Sequence, residues 1–129
     1  MKKIKLLIVD DEVELATTLA ERLQFRGLDA DAVINCTDAI KQIELKKYDV
    51  ALIDVKLKRL NGIELMKLLK GQQPKLKVML ITGHGTEEEA RKGIKMGASK
   101  YLIKPVNINV LIQEINDVLL NSDNSTDNE

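Results

Sequence analysis

The chain reads as one α/β domain, a doubly wound sheet of five parallel strands with helices on both faces. Three observations predict this. Short apolar runs alternate with helix-like stretches five times along the sequence, the pattern of repeated β-α units. Apolar residues make up 44% of the 129 residues, yet the aromatics are only Phe25, Tyr48 and Tyr101. The core must therefore be aliphatic. The length suits a single domain, and neither a second domain nor a short internal repeat is evident.

Ile4 to Val9 is the first strand, and three acids, Asp10, Asp11 and Glu12, follow it directly. The first helix is expected from about Glu12 to Arg26. Leu15, Leu19 and Leu23 recur at i, i+4 and i+8, so they are expected on its inner face. Gly27 stops it. Leu28 to Val33 is the second strand, with acids at 29 and 31. Thr37 to Lys47 is helical, with Ile40 and Ile43 inward. Val50 to Ile53 is the third strand, fully apolar and ending at Asp54. After the loop "VKLKRLNG", a helix is expected over Ile63 to Lys70. Lys77 to Ile81 is the fourth strand, ending at Thr82. Thr86 with Glu89 three residues on is a capping-box signature, and Gly97 closes the helix it starts. Tyr101 to Ile103 is a short fifth strand before Lys104-Pro105. The last helix is expected from about Ile108 to Leu120, with Ile108, Leu111, Ile112, Ile115 and Leu119 as its buried stripe. The domain therefore covers residues 1–121. The remainder, 122–129, is polar and expected to be disordered.

Composition excludes several classes. Twenty basic and twenty acidic residues give a formal net charge of zero. A nucleic-acid binder or a polybasic membrane anchor would show a basic excess. No apolar stretch approaches the roughly 20 residues of a membrane span. The run after Met1-Lys2-Lys3 stops at Asp10, too early for a secretory core. Cys36 is the only cysteine, which leaves no disulfide framework and no zinc cluster. The expected location is the cytoplasm.

In open α/β sheets, sites form beyond the carboxyl ends of the strands, where the strand order reverses. Four of the five strands end in charged or hydroxyl side chains: Asp10 and Asp11, Asp54, Thr82, and Lys104. An order 2-1-3-4-5 makes the second strand an edge and brings Asp10, Asp11 and Asp54 together beside Thr82 and Lys104. Two carboxylates 4 Å apart repel by about 4 kcal/mol at an effective dielectric of 20. Three in one cleft need a cation or a raised pKa. Lys104 supplies one positive charge, and a divalent ion supplies the rest. Hard oxygen ligands suit Mg²⁺, with Mn²⁺ as a substitute. Such a metal beside a lysine and a threonine hydroxyl is an arrangement that handles phosphoryl groups.

Asp10-Asp11, Asp54, Thr82 and Lys104-Pro105, with "YDVALID", Gly62 and "GIKMGASKYLIKP" around them, resemble the receiver domain of two-component response regulators. The resemblance covers about Lys3 to Leu120. It implies the flavodoxin-like (βα)5 fold and its 2-1-3-4-5 order. It implies that Asp54 takes a phosphoryl group from a phosphohistidine on a sensor histidine kinase or histidine phosphotransfer protein. Asp10, Asp11, Asp54 and the backbone carbonyl of Lys56 would hold the Mg²⁺. Lys104 would neutralise a phosphoryl oxygen and Thr82 would hydrogen-bond another. Tyr101 would be the switch aromatic, and Lys104-Pro105 a cis peptide. The domain would be an enzyme only in catalysing its own phosphorylation and dephosphorylation. A downstream protein would bind the face of the fourth helix, fifth strand and fifth helix, and phosphorylation could drive homodimerisation.

Two features depart from the family pattern. Lys58 stands where the family often has proline. Lys56, two residues after the acceptor, can reach over the site and is expected to tune dephosphorylation. Gly83, directly after Thr82, leaves the site open to water or a partner.

Plainer readings stand beside these. Asp10 to Glu12 could cap the first helix, and Thr82 and Lys104 taken singly would be structural. His84 reads as an exposed loop residue, its flanking glycines as a turn, and Cys36 as packed. Two other functions compete. One is an interaction module of this fold that works without phosphorylation, against which the intact acidic set argues. The other is a metal-dependent phosphatase of the haloacid-dehalogenase type. That chemistry places a second aspartate where Lys56 stands.

Overall fold

The computed structural model describes residues 2–127, with side chains described through residue 121. Five strands alternate with five helices. They are β1 (Lys5–Val9), α1 (Val13–Phe25), β2 (Asp29–Val33), α2 (Cys36–Leu45), β3 (Val50–Asp54), α3 (Gly62–Gln72), β4 (Lys77–Thr82), α4 (Glu87–Lys95), β5 (Lys100–Ile103) and α5 (Ile108–Asp127). The sheet is parallel throughout and ordered β2-β1-β3-β4-β5.

Register brings the strand ends level. Val9 pairs with Ile53, so Asp10 and Asp54 follow as neighbours. Asp54 pairs with Ile81 and Thr82 with Ile103, which places Thr82 and Lys104 at the same edge. Alternation along each strand divides the core in two. Leu7, Val9, Ile53, Val78 and Leu80 pack towards Ile43, Ile63, Met66 and Leu69 of α2 and α3. Leu6, Ile8, Leu52, Met79 and Ile81 pack towards α1 and α5. Helices thus cover both faces, as parallel sheets require.

Helix α1 corrects one expectation. Leu15 is exposed and Leu19 only partly buried; the inner stripe is Ala16, Ala20 and Leu23. Small alanines let the helix lie close to the sheet, and the stripe is turned by one residue from the leucine series. In α5 the fully buried residues are Leu111, Ile115 and Val118, with Ile108, Ile112 and Leu119 partly buried against the same core. The α5 backbone continues to Asp127, beyond the predicted end near Leu120. No glycine or proline lies between 121 and 127 to stop it. Residues 128 and 129 of the polar tail lie outside the described residues.

The acids of edge strand β2 also find their reason. Lys46, just past α2, pairs with Asp29 at 3.1 Å and Asp31 at 2.8 Å. The buried Tyr48 hydroxyl donates to Asp31 and accepts from Gln42 Nε2. Among the described residues, no helix is long and apolar enough to cross a membrane.

Candidate functional site

Among the described residues and apart from the Tyr48 hydroxyl, three polar or charged side chains are buried: Asp10, Asp54 and Thr82. All three stand at the carboxyl edge of the central strands. Buried carboxylates cost free energy unless paired and hydrogen-bonded, and each of these is. Asp10 Oδ1 accepts the Glu12 N–H at 3.0 Å. Asp54 Oδ1 accepts the Lys56 N–H at 2.9 Å. Their other oxygens face one ammonium: Lys104 Nζ lies 2.8 Å from Asp10 Oδ2 and 3.2 Å from Asp54 Oδ2. Its third contact is Glu12 Oε1 at 2.9 Å.

Lys104 reaches this position from β5. Its N–H donates to the Thr82 carbonyl at 2.8 Å, and the following bond to Pro105 is cis, as the resemblance implied. Thr82 is fully buried, and its Oγ1 accepts the His84 N–H at 3.3 Å. His84 and Gly83 are exposed, and a side chain at Gly83 would meet open space. The loop after Asp54 is drawn in at Gly62, whose N–H donates to the Val55 carbonyl at 2.8 Å.

Three carboxylates share one ammonium, so the cluster keeps a net negative charge. Burial raises the Asp10 pKa, and the charge of Asp54 adds to it. The bonds from Lys104 and the Glu12 N–H pull the other way without cancelling the rise. Burial acts to lower the Lys104 pKa, but its bonds to Asp10 and Glu12 and the charges of Asp10 and Asp54 outweigh it. The ammonium is held above its ordinary range. Oxygens of Asp10, Glu12 and Asp54 lie within 4.8 Å of one another, close enough to share a cation.

Asp11 is not in that group. It lines an adjoining cavity of about 420 Å³ with Asn35, Cys36, Leu57 and Lys58. Nor do the acids cap α1 through its N-cap side chain: Glu12 holds that position and makes no capping bond. Lys56 is exposed, and its backbone N–H donates to Asp54 Oδ1.

Tyr101, paired with Leu80 in the β4–β5 register, is half-buried. Its hydroxyl donates to Glu89 Oε1 at 2.6 Å. Glycine at 85 leaves room for it, since a Cβ there would sit 2.7 Å from that hydroxyl. Burial and the neighbouring Glu89 carboxylate both raise the Tyr101 pKa.

Sequence reasoning missed two site contacts, Glu12 to Lys104 and Glu89 to Tyr101. Glu12 stood in the acidic run, so its position was visible. Glu89 was visible only as a helix-start residue; its N–H donates to Thr86 Oγ1, the first half of a capping box, while its carboxylate goes to Tyr101.

This fold, with acids and a lysine gathered at its switch point, defines a receiver. The chain belongs to the response regulator receiver domain family, which residues 6–116 match. It is 33% identical over 114 residues to a putative NtrX-like response regulator of Rickettsia felis, covering 87% of this chain and 24% of that protein. It is 33% identical to a CpxR homologue, a transcriptional regulatory protein of Haemophilus influenzae, covering 96% of this chain and 54% of that protein. The chain thus spans between about a quarter and about half of these relatives. The crystal structure of a CheY-like receiver domain protein from Methanospirillum hungatei superposes with a TM-score of 0.88 at 27% identity, covering 96% of this chain and 99% of that one. The chain is accordingly a phosphoryl-accepting switch of two-component signalling. Receiver domains bind Mg²⁺ at an acidic pocket and interact with histidine kinases or phosphotransfer proteins.

Proposed function

We propose that Asp54 is the phosphoryl acceptor of this chain and that Asp10, Asp11, Thr82 and Lys104 serve it. The observation that carries this is the confinement of buried Asp10, Asp54 and Thr82 to one sheet edge. A fold does not bury two carboxylates against each other for stability alone.

The donor is a phosphohistidine of a kinase or phosphotransfer protein. The P–N bond to imidazole breaks as a P–O bond to Asp54 forms, and the imidazole leaves. Asp10, Asp54 and the Lys56 carbonyl, joined by Asp11 from the adjoining cavity, would hold Mg²⁺, or Mn²⁺ in its place; the net negative charge that Asp10, Glu12 and Asp54 keep beside Lys104 favours a divalent ion. When bound, such an ion offsets charge on the phosphoryl oxygens. Lys104, already against Asp54 Oδ2, turns its charge to a phosphoryl oxygen. The Thr82 hydroxyl binds another, and Tyr101 moves inward behind it.

The downstream partner binds the face of α4, β5 and α5. Exposed Ile94 and Ile103 on α4 and β5 support this, and homodimerisation would use the same face. The phosphatase alternative is disfavoured, because Lys56 offers no carboxyl group for acid-base work.

Intact mass after incubation with acetyl phosphate and Mg²⁺ tests the proposal. The wild type gains one phosphoryl group. Asp54→Asn gains none, and neither does wild type without Mg²⁺. Equal gain in the variant would move the acceptor elsewhere.

A further inference from the structure

Lys104 has three N–H donors, and its Nζ lies within 3.2 Å of three carboxylates: Asp10, Glu12 and Asp54. These three acids are not equivalent. Asp10 and Asp54 are buried, and the second oxygen of each accepts a backbone N–H. They cannot follow the ammonium if it moves. Glu12 is different. Its side chain is 63% exposed, it does not cap α1, and Lys104 is the partner its carboxylate makes. The contact joins the start of α1 to the end of β5 across 92 residues.

We propose that Glu12 is a positioning residue that restrains Lys104. It holds the ammonium on the acidic cluster and reduces its availability to the incoming phosphoryl group. This rests on the reading of Asp54 as acceptor. Once Asp54 carries a phosphoryl group, Lys104 must turn one N–H to a phosphoryl oxygen. The contact with Glu12 is the one it can release, because the exposed carboxylate regains water on leaving while Asp10 would be left buried and unpaired. Glu12 also sets a negative charge at the mouth, against an anionic donor. Restraint and repulsion both slow phosphorylation, and only the first acts through Lys104.

The test is the phosphorylation rate of the intact chain with acetyl phosphate at saturating Mg²⁺, followed by intact mass. Glu12→Gln is compared with Glu14→Gln, an equal charge change in the first turn of α1 that does not touch Lys104. We expect Glu12→Gln to phosphorylate about two- to fivefold faster, the range expected for losing one partly exposed ion pair, and Glu14→Gln to match wild type. In a Lys104→Ala background the effect of Glu12→Gln disappears, the coupling that a double-mutant cycle isolates. A readout independent of turnover is the NMR signal of the Lys104 side chain, which shifts in metal-free Glu12→Gln and not in Glu14→Gln.

Equal rates for Glu12→Gln and wild type overturn the proposal. So does a gain that persists without Lys104, which would make the effect plain repulsion. A large rise in the Mg²⁺ needed for half-maximal rate would also overturn it, by making Glu12 a metal ligand. If wild type itself takes no phosphoryl group while its Lys104 signal still depends on Glu12, the acceptor assignment fails and the restraint stands.

Discussion

Gly62 lies against the backbone of Asp54: a Cβ built on it would sit 2.8 Å from Val55 Cα and collide with the Asp54 carbonyl oxygen. The obstacle is main chain, which cannot swing aside as a side-chain tip can. Gly62→Ala should therefore cost about 1–3 kcal/mol of stability, the usual penalty for overpacking, readable as a lower urea midpoint. It should also slow phosphorylation, because the displaced segment carries Asp54. An unchanged midpoint would show that the loop after β3 relaxes freely.

The acidic cluster gives opposite signs for two substitutions. Lys104→Gln leaves Asp10, Glu12 and Asp54 facing one another without a cation. Removing one partner of a buried pair costs about 3–5 kcal/mol, and the exposure of Glu12 places this case at the low end. Asp54→Asn instead removes one repelling charge and keeps an acceptor for the Lys56 N–H. It should stabilise the fold by roughly 1 kcal/mol, the common exchange of function for stability at a strained site. Mg²⁺ should stabilise wild type by about 2.7 kcal/mol at a hundredfold excess over its dissociation constant, and much less in Asp54→Asn. Thermal unfolding of the three proteins, with and without Mg²⁺, checks all three signs.

These examples mark what could be read in the sequence. Strands β1, β3 and β4 were legible because each carries a run of at least four apolar residues, and β2 because its acids alternate with apolar residues. Asp10, Asp54, Thr82 and Lys104 were legible because a parallel sheet sends every strand end to the same edge. The inner face of α1 was not: Leu15 outranks Ala16 in hydrophobicity, but the close approach of helix to sheet selects the smaller residue. The bonds from Lys104 to Glu12 and from Tyr101 to Glu89 depend on side-chain reach between segments distant in sequence, which periodicity does not encode. Asp29 and Asp31 stood out in β2, yet their partner Lys46 looked like any residue ending a helix.

Both tyrosines should resist ionisation. Burial raises the pKa of Tyr48, and the bond to Asp31 adds to it; burial and Glu89 raise that of Tyr101. The chain has no tryptophan and two tyrosines, so tyrosinate absorbance reports on these two residues alone. At pH 10 to 11 the native protein should show little tyrosinate, while the denatured chain is about half ionised near pH 10. A pKa raised on folding contributes stability that is complete below the unfolded value and fades as pH rises through the folded one. Asp31 has the opposite sign. Burial pushes its pKa up, but bonds from Lys46 and Tyr48 outweigh that and hold it below its ordinary value. Its contribution is present above about pH 4 and fades as pH falls further. Tyr48→Phe should weaken both limits. Ordinary tyrosine titration in the native protein would refute this account of the cluster.

Lys56 and Gly83 stand on the loops that follow the neighbouring strands β3 and β4. The Lys56 N–H is fixed on Asp54 Oδ1 at 2.9 Å, while its side chain is exposed. A phosphoryl group on Asp54 would lie outward from that bond, where the lysine stem can screen it from water. Gly83 is exposed with open space at its Cβ position, so a side chain can be added there without a clash. Lys56→Ala should shorten the lifetime of the phosphorylated form, and Gly83→Val should lengthen it by narrowing the mouth. Changes of about three- to tenfold are expected, a barrier difference on the order of 1 kcal/mol. Release of inorganic phosphate after removal of the donor measures both. A lifetime unmoved by Lys56→Ala would mean that water reaches the phosphoryl group by a path the lysine does not cover, and a Gly83→Val effect alone would place that path on the Thr82 side.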